Sequence, residues 1–332
     1  GMEHRIERNQ LAGLPGEKIA YSSWTEQLAA LGKLTAGMKR VAMQYSPMCA
    51  VPYVAIVDAG TVELVRSLGV EVVTSAELIQ IFEARWTPAQ LETHLEAGRR
   101  VDQVRAAAFD LIRERTRNGV ALQEVEVKDF VRKGFADAGL LTDSGPIVGC
   151  NANASNPHYE PSAEVTAPIQ SGDWVLLDMW AKLDQPGAVY YDITWTAFCG
   201  DHATDEMQRV FTIVRDARDA AITRVQDAMA QRHTLHGYEV DDACRAVIIK
   251  AGYAEYFTHR TGHSIGVEVH GNGANMDNFE THDERRVMPW SCFSVEPGIY
   301  LPNFGVRLEI DMFVGDRDAR VTGEIQREMV LL

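Results

Sequence analysis

The 332 residues are too many for one small core and are expected to form one large domain with a smaller one. Contents of 46% hydrophobic and 24% charged residues are those of an ordinary globular chain, and a formal net charge of -15 excludes a partner gripped through its phosphate backbone, which requires Lys and Arg. No stretch approaches the roughly 20 apolar residues of a helical membrane span, so no membrane partner is expected.

The start, Gly1-Met2-Glu3-His4-Arg5, has no apolar run behind its charges, so no export leader is expected, and Gly1 ahead of Met2 reads as a tag-cleavage remnant. Residues 39–86 alternate between strand-like runs (40–45 and 70–74) and helix-like ones (61–68 and 75–86), a short α/β pattern; the segment before them reads as irregular. Thr87-Pro88-Ala89-Gln90 opens a helix, with an N-cap Thr, Pro at the first helical position and Gln at the capping-box position, and the helix can run to Asn118-Gly119. The boundary of the second domain is placed there.

Beyond it the chain repeats itself at an offset of 113. Glu126, Val127, Asp129, Arg132, Ala138 and Gly139 meet the identical residues Glu239, Val240, Asp242, Arg245, Ala251 and Gly252, each set on a helix that ends at glycine. Two like halves would leave a cleft between them; chance likeness of two amphipathic helices is the other reading. A long helix behind Thr204-Asp205-Glu206 precedes the later copy.

Residues 174–178 read as a buried strand ending in Asp178, with 190–194 as its hairpin partner across Asp184-Gln185-Pro186-Gly187, so Asp178 and Asp192 come to one edge. A carboxylate after an apolar run is costly to bury without a cation or a fixed donor, although solvated turn aspartates would give the same pattern. Further along, Gly262-His263-Ser264-Ile265-Gly266 and His270 sit among glycines, Val295-Glu296-Pro297-Gly298 ends a strand in Glu, and residues 305–310 alternate so that Arg307 and Glu309 share a face. Four hard carboxylates and one imidazole are what a carboxylate-bridged pair of divalent cations needs to activate water. The five cysteines (Cys49, Cys150, Cys199, Cys244, Cys292) form no C-x-x-C pair and read as reduced thiols of a cytoplasmic protein.

On Asp192-Ile193-Thr194, Gly262-His263-Ser264-Ile265-Gly266, Val295-Glu296-Pro297-Gly298-Ile299-Tyr300 and Val306-Arg307-Leu308-Glu309, residues 87–332 resemble the creatinase, prolidase and aminopeptidase P (M24) family of metallopeptidases. The resemblance implies an α+β fold, a pita-bread catalytic domain with an internal pseudo-two-fold duplication over 87–332. Ahead of it, residues 1–86 resemble only the later portion of the family's α/β N-terminal domain. It implies two divalent metal ions, with Asp178 on one, Asp192 and Glu309 bridging, and His263 and Glu296 completing the second. Manganese suits the carboxylate-rich set best, with cobalt, iron and zinc as alternatives. A bridging water or hydroxide would attack, His270 would stabilise the tetrahedral intermediate, Glu296 would shuttle a proton to the departing amine, and His158 would touch substrate. His259 would line the substrate side, and Arg307 would support the carboxylates and substrate. Arg286, beside Arg285, would hold a product carboxylate.

The implied activity is Xaa-Pro exopeptidase cleavage, by a dipeptidase or an aminopeptidase, in a homodimer acting on small peptides. The alternatives are a non-peptide substrate on the same site (amidinohydrolase, phosphoester or phosphonate hydrolase, or lyase) and an inactive pita-bread binding protein. This chain has Trp180 where the family usually has Gly, Trp195 where it usually has Arg, and Gly271 where Glu is expected. Trp180, Trp195 and Tyr300 are therefore candidate pocket walls.

Overall fold

The computed structural model describes residues 15–332. The readings made on Gly1-Met2-Glu3-His4-Arg5 lie outside them. The contacts divide the chain into two units, Gly1–Ala76 and Glu77–Leu332.

In the first unit, strands β1 (Arg40–Met43) and β2 (Glu71–Thr74) pair in parallel, joined through helix α2 (Ala59–Ser67). Val62, Val65, Val70 and Val72 form its small core. The segment ahead of β1, expected to be irregular, contains helix α1 (Trp24–Thr35). Ser23 and Glu26 close a capping box at its start, and Trp24, Leu28, Leu31 and Leu34 recur at helical spacing, signals that the expectation of irregular structure passed over; none of its residues is buried.

The second unit opens with helix α3 (Ala76–Glu83), which begins at the junction, and then α4 (Pro88–Arg117), capped by Thr87 with the reciprocal Gln90 bond and ended at Asn118. Helix α5 (Glu124–Asp137) packs on α4, and strands β3 (Ile147–Cys150), β4 (Trp174–Leu183) and β5 (Tyr191–Phe198) form an antiparallel sheet beneath them. The architecture then recurs. Helix α6 (Asp205–Gln231), capped by Thr204, packs on α7 (Gly237–Lys250), over β6 (Ser264–Ile265), β7 (Ser291–Val295), β8 (Gly298–Tyr300), β9 (Gly305–Arg307), β10 (Ile310–Val314) and β11 (Ala319–Val321). Strands β6, β7, β10 and β11 make the second sheet, in the order β11-β10-β7-β6. Strand β12 (Val330–Leu331) returns to pair in parallel with β5.

Helices α5 and α7 are each 14 residues long and start 113 residues apart, at Glu124 and Gly237. Both have a capping box, closed by Glu126 in one and Glu239 in the other, and the glycine after each, Gly139 or Gly252, has a φ of +67° or +85°. Capping boxes and left-handed glycines also bound α1 and α4, so the recurrence rests on the common offset and on the helix pair laid over a sheet in each half.

Strand β4 serves both halves by alternation. Val175, Leu177, Met179 and Ala181 enter the core under α4 and α5, while Trp174 and Leu176 enter the core of the second half. Asp178 and Trp180 follow on that second face. The strand therefore does not end in Asp178 but carries it in mid-run, as far as Leu183.

Gly139→Ala and Gly252→Ala force alanine into the same left-handed geometry, and each is expected to lower stability by about 1–2 kcal/mol in urea unfolding. Unequal costs would show that the two helix ends are not equivalent.

Candidate metal centre

Period-two geometry brings the first two carboxylates together. Asp178 on β4 pairs with Thr194 on β5, and Trp180 with Asp192, so Asp178, Asp192 and Thr194 share one face. Opposite them, His263 immediately precedes β6, held because its backbone exchanges bonds with Ser294: the Ser294 N–H donates to its carbonyl at 2.9 Å and its own N–H donates to Ser294 Oγ at 3.0 Å. Gly262 makes this approach possible, since a Cβ there would sit 1.9 Å from the Ser294 carbonyl oxygen. Glu296 follows β7, and Glu309 lies between β9 and β10 with its N–H donating to the Thr194 carbonyl at 3.0 Å.

All five side chains line one cavity of about 400 Å³, joined by His158, His259, His270 and Arg307. Asp192, His263 and Glu309 bring ligand atoms within 4.8 Å of one another. Glu296 flanks them, its Oε1 lying 3.6 Å from His263 Nε2, which is also 3.6 Å from Asp192 Oδ2. The Nδ1–H of His263 donates to the Ser264 carbonyl at 3.2 Å, leaving the Nε2 lone pair facing the carboxylates.

The electrostatics are those of a site built for cations. Burial pushes the Asp192 and Glu309 carboxyls well above their usual range, and their carboxylate neighbours push them further. Burial likewise raises Asp178, and lifts Glu296 to about 7, both against the pull of Arg307. Burial, and then His270, holds the His263 imidazole well below its usual value. Asp192 Oδ1 is buried without a hydrogen-bond partner. An unpartnered oxygen, hard carboxylates and a neutral imidazole all fit divalent cations.

Arg307 is fully engaged beneath the site. Its guanidinium donates to Asp178 Oδ2 at 2.5 Å, to Thr194 Oγ1 at 3.1 Å and to the Tyr300 hydroxyl at 3.1 Å, while Thr194 Oγ1 donates onward to Glu309 Oε2 at 2.7 Å. The expected role in supporting the carboxylates fits these contacts better than direct substrate binding. His259 lines the cavity with both ring nitrogens engaged: Nδ1 lies 2.6 Å from the Arg260 carbonyl, which fixes it as the donor, and Nε2 lies 2.6 Å from the Tyr300 hydroxyl. Burial drops its pKa to about 3, so the ring is neutral. Tyr300, half of the bridge between His259 and Arg307, is thus a supporting residue and is not among those lining the cavity.

Each half also clamps the loops that carry these groups. In the first, buried Glu124 accepts from Cys150 N, Ala167 N and the Tyr159 hydroxyl while Lys128 holds the Pro161 carbonyl, fixing the loop of His158. In the second, buried Asp241 accepts from Thr261 N and Arg245 donates to the Phe257 and His259 carbonyls, fixing the approach to His263.

Two further expectations need correction. Trp195 does not wall the cavity; alternation puts it on the opposite face of β5 from Asp192 and Thr194, in the first core with the Arg105 guanidinium 3.4 Å from its ring centroid. Nor does the structure bring Arg286 to the cavity. It is exposed and pairs with Glu77 at 3.1 Å, while Arg285 is buried against Asp283. Trp180 does line the cavity, together with Asp143, Arg260 and Glu280, which no pattern in the sequence singled out. Arg260 stands between His259 and His263, and that adjacency is the one clue the sequence offered to it.

Residues 92–316 match the model of metallopeptidase family M24. The Xaa-Pro dipeptidase of Lactobacillus delbrueckii subsp. lactis is 31% identical over 224 residues, 67% of this chain and 55% of that protein. The chain spans about half the length of the curated relatives it matches. Among solved structures, the dipeptidase PepE of Mycobacterium ulcerans superposes with a TM-score of 0.67 at 25% identity, covering 88% of this chain and 70% of that one. The X-Pro aminopeptidase of Thermotoga maritima, at 21% identity and a TM-score of 0.66, shares the fold, covering 92% and 80% respectively.

Metal-stripped protein is expected to gain thermal stability on titration with Mn²⁺, by about 2.7 kcal/mol at a hundred times Kd. Asp192→Asn and Glu309→Gln act in opposite senses: each removes buried charge, raising the Tm of the stripped protein, and each weakens the response to the ion. Scanning fluorimetry with and without Mn²⁺ measures both, and a variant that kept the full response would remove that residue from the ligand set.

Proposed function

Because the chain belongs to metallopeptidase family M24, we propose that it is a metal-dependent exopeptidase that hydrolyses the bond before proline in small peptides. The observation that carries this reading is the convergence of Asp178, Asp192, His263, Glu296 and Glu309 in a cavity of about 400 Å³, the size of a small-ligand site. The names of the Lactobacillus and Mycobacterium relatives support a dipeptidase. In this proposal 87–332 is the catalytic domain and 1–86 an N-terminal α/β domain, of which residues 77–86 group by contacts with the second unit.

Asp178, Asp192, His263, Glu296 and Glu309 would hold two divalent ions, manganese first among the candidates. When bound, the ions supply Lewis-acid activation of water and polarisation of the substrate carbonyl. The chain's own groups do the rest. Glu296, supported by Ser294 Oγ at 3.2 Å, takes the proton of the attacking water on a carboxylate oxygen and returns it to the proline nitrogen as the C–N bond breaks. His270 is exposed to the cavity with its ring centroid 4.2 Å from that of His263, and it donates to the oxygen that gains negative charge. His158, on the loop fixed by Glu124 and Lys128, meets the substrate from the opposite half. The Arg307-Tyr300-His259 chain keeps the carboxylates and the neighbouring wall in place.

Among the described residues no helix is long and apolar enough to cross a membrane. A cytoplasmic location and a homodimer complete the proposal; sedimentation equilibrium tests the second.

The decisive assay uses metal-stripped protein on Ala-Pro, Ala-Pro-Ala and Ala-Ala, with and without Mn²⁺. Restored cleavage of the proline peptides but not of Ala-Ala is expected, and the dipeptide-to-tripeptide ratio assigns the subclass. Asp192→Asn should lower kcat/KM by more than about 100-fold, since loss of a group that merely orients a ligand already costs about 10- to 100-fold. Silence on every proline peptide with metal bound would reject the reading in favour of a non-peptide substrate.

A further inference from the structure

Trp180 has no part in the chemistry above, yet its surroundings are shaped to hold it. It follows Asp178 by two residues on the cavity face of β4, and its ring lies against Gly145, where a Cβ would come within 2.4 Å of the indole. Gly145 also has a φ of +65°, so no other residue meets both requirements without strain. Against this wall the indole Nε1–H donates to Asp143 Oδ1 at 2.8 Å, and Ser144 Oγ lies 3.3 Å from the same oxygen. Thr142 Oγ1 donates to the Ser144 carbonyl at 2.6 Å, tightening the turn. The result is a carboxylate fixed at the exposed rim of the cavity.

Beyond its electrostatic pull on His270, no cationic partner among the described residues balances its charge there. Of the other cavity carboxylates, Glu280 lies 3.7 Å from Arg260 Nη1, and Asp178, Asp192, Glu296 and Glu309 belong to the proposed metal set. Asp143 has no cationic side chain within ion-pair distance among the described residues, and both neighbouring donors address Oδ1, leaving Oδ2 turned to other partners. A fixed, unpaired carboxylate at the mouth of a small-peptide site is a receptor for a positive charge that the substrate brings.

We infer that Asp143, oriented by Trp180, is a specificity determinant that pairs with the cationic side chain of a lysine or arginine at the substrate's first residue. This rests on the Xaa-Pro reading. The α-ammonium group is common to all dipeptides and does not distinguish among them; the rim position favours a charge carried at the end of a long side chain.

The test compares kcat/KM for Lys-Pro, norleucine-Pro and Glu-Pro on the manganese-loaded protein, with Ala-Pro as reference. Lys-Pro is expected to exceed norleucine-Pro by about tenfold, with Glu-Pro poorest, and the ratio should shrink as salt screens the pair. Asp143→Asn should bring the ratio close to one, Asp143→Glu should retain much of it, and Trp180→Phe, which keeps the ring but loses the N–H, should give an intermediate value. Equal rates for Lys-Pro and norleucine-Pro, with Ala-Pro cleaved, overturn the inference and leave the Xaa-Pro reading intact. Calorimetric binding of Lys-Pro and norleucine-Pro covers a protein that cleaves none of them: tighter Lys-Pro binding that depends on Asp143 upholds the rim site while the Xaa-Pro reading fails, and equal binding overturns both.

Discussion

Four carboxylates crowded about one imidazole, nearly all shielded from water, are the constraint that organises the second unit. Their mutual repulsion and desolvation oppose folding, and Arg307 offsets only part of this through its bond to Asp178. Such a set persists because backbone geometry over-determines it. The two aspartates stand on paired strands, His263 is tied to Ser294 through a glycine that nothing larger could replace, and Glu309 hangs from the Thr194 carbonyl. In the proposed function this rigidity matters, because ligands placed in advance would need no reorganisation on binding an ion.

The duplication explains how one chain can hold so unfavourable a cluster. Each half lays a helix pair over its own sheet and uses buried or half-buried polar groups on the shorter helix, Glu124 and Lys128 in one, Asp241 and Arg245 in the other, to fix the loop that faces the cavity. The halves meet along β4, whose alternate residues belong to different cores. A strand shared in this way transmits the position of one core to the other, and Asp178 sits on it.

Much of this was legible in the sequence where the cause is local. Thr87 and Gln90, Thr204, and the glycines after α5 and α7 marked helix ends because capping depends on neighbours three or four residues away. The aspartate hairpin and the shared face of Arg307 and Glu309 followed from the period of a strand. The same period, applied to Asp192-Ile193-Thr194-Trp195, already turns Trp195 away from the cavity, so that error lay in reading a wall from residue type alone. Arg286, Asp143 and Glu280 are of another kind. They lie in turn-rich loops without periodicity, and whether each reaches the cavity is decided by packing between segments far apart in the chain, as when Glu77 captures Arg286.

The recurrence of the helix pair also bears on how the molecule could be taken apart. Residues 199–204 run between β5 and α6 without regular structure, linking one copy of the architecture to the next. A chain severed there would leave Asp178 and Asp192 on one fragment and His263, Glu296 and Glu309 on the other, each fragment with its own helices. Neither fragment alone would have the full set of proposed ligands, so recovery of the joint cavity on mixing would report reassociation of the halves directly.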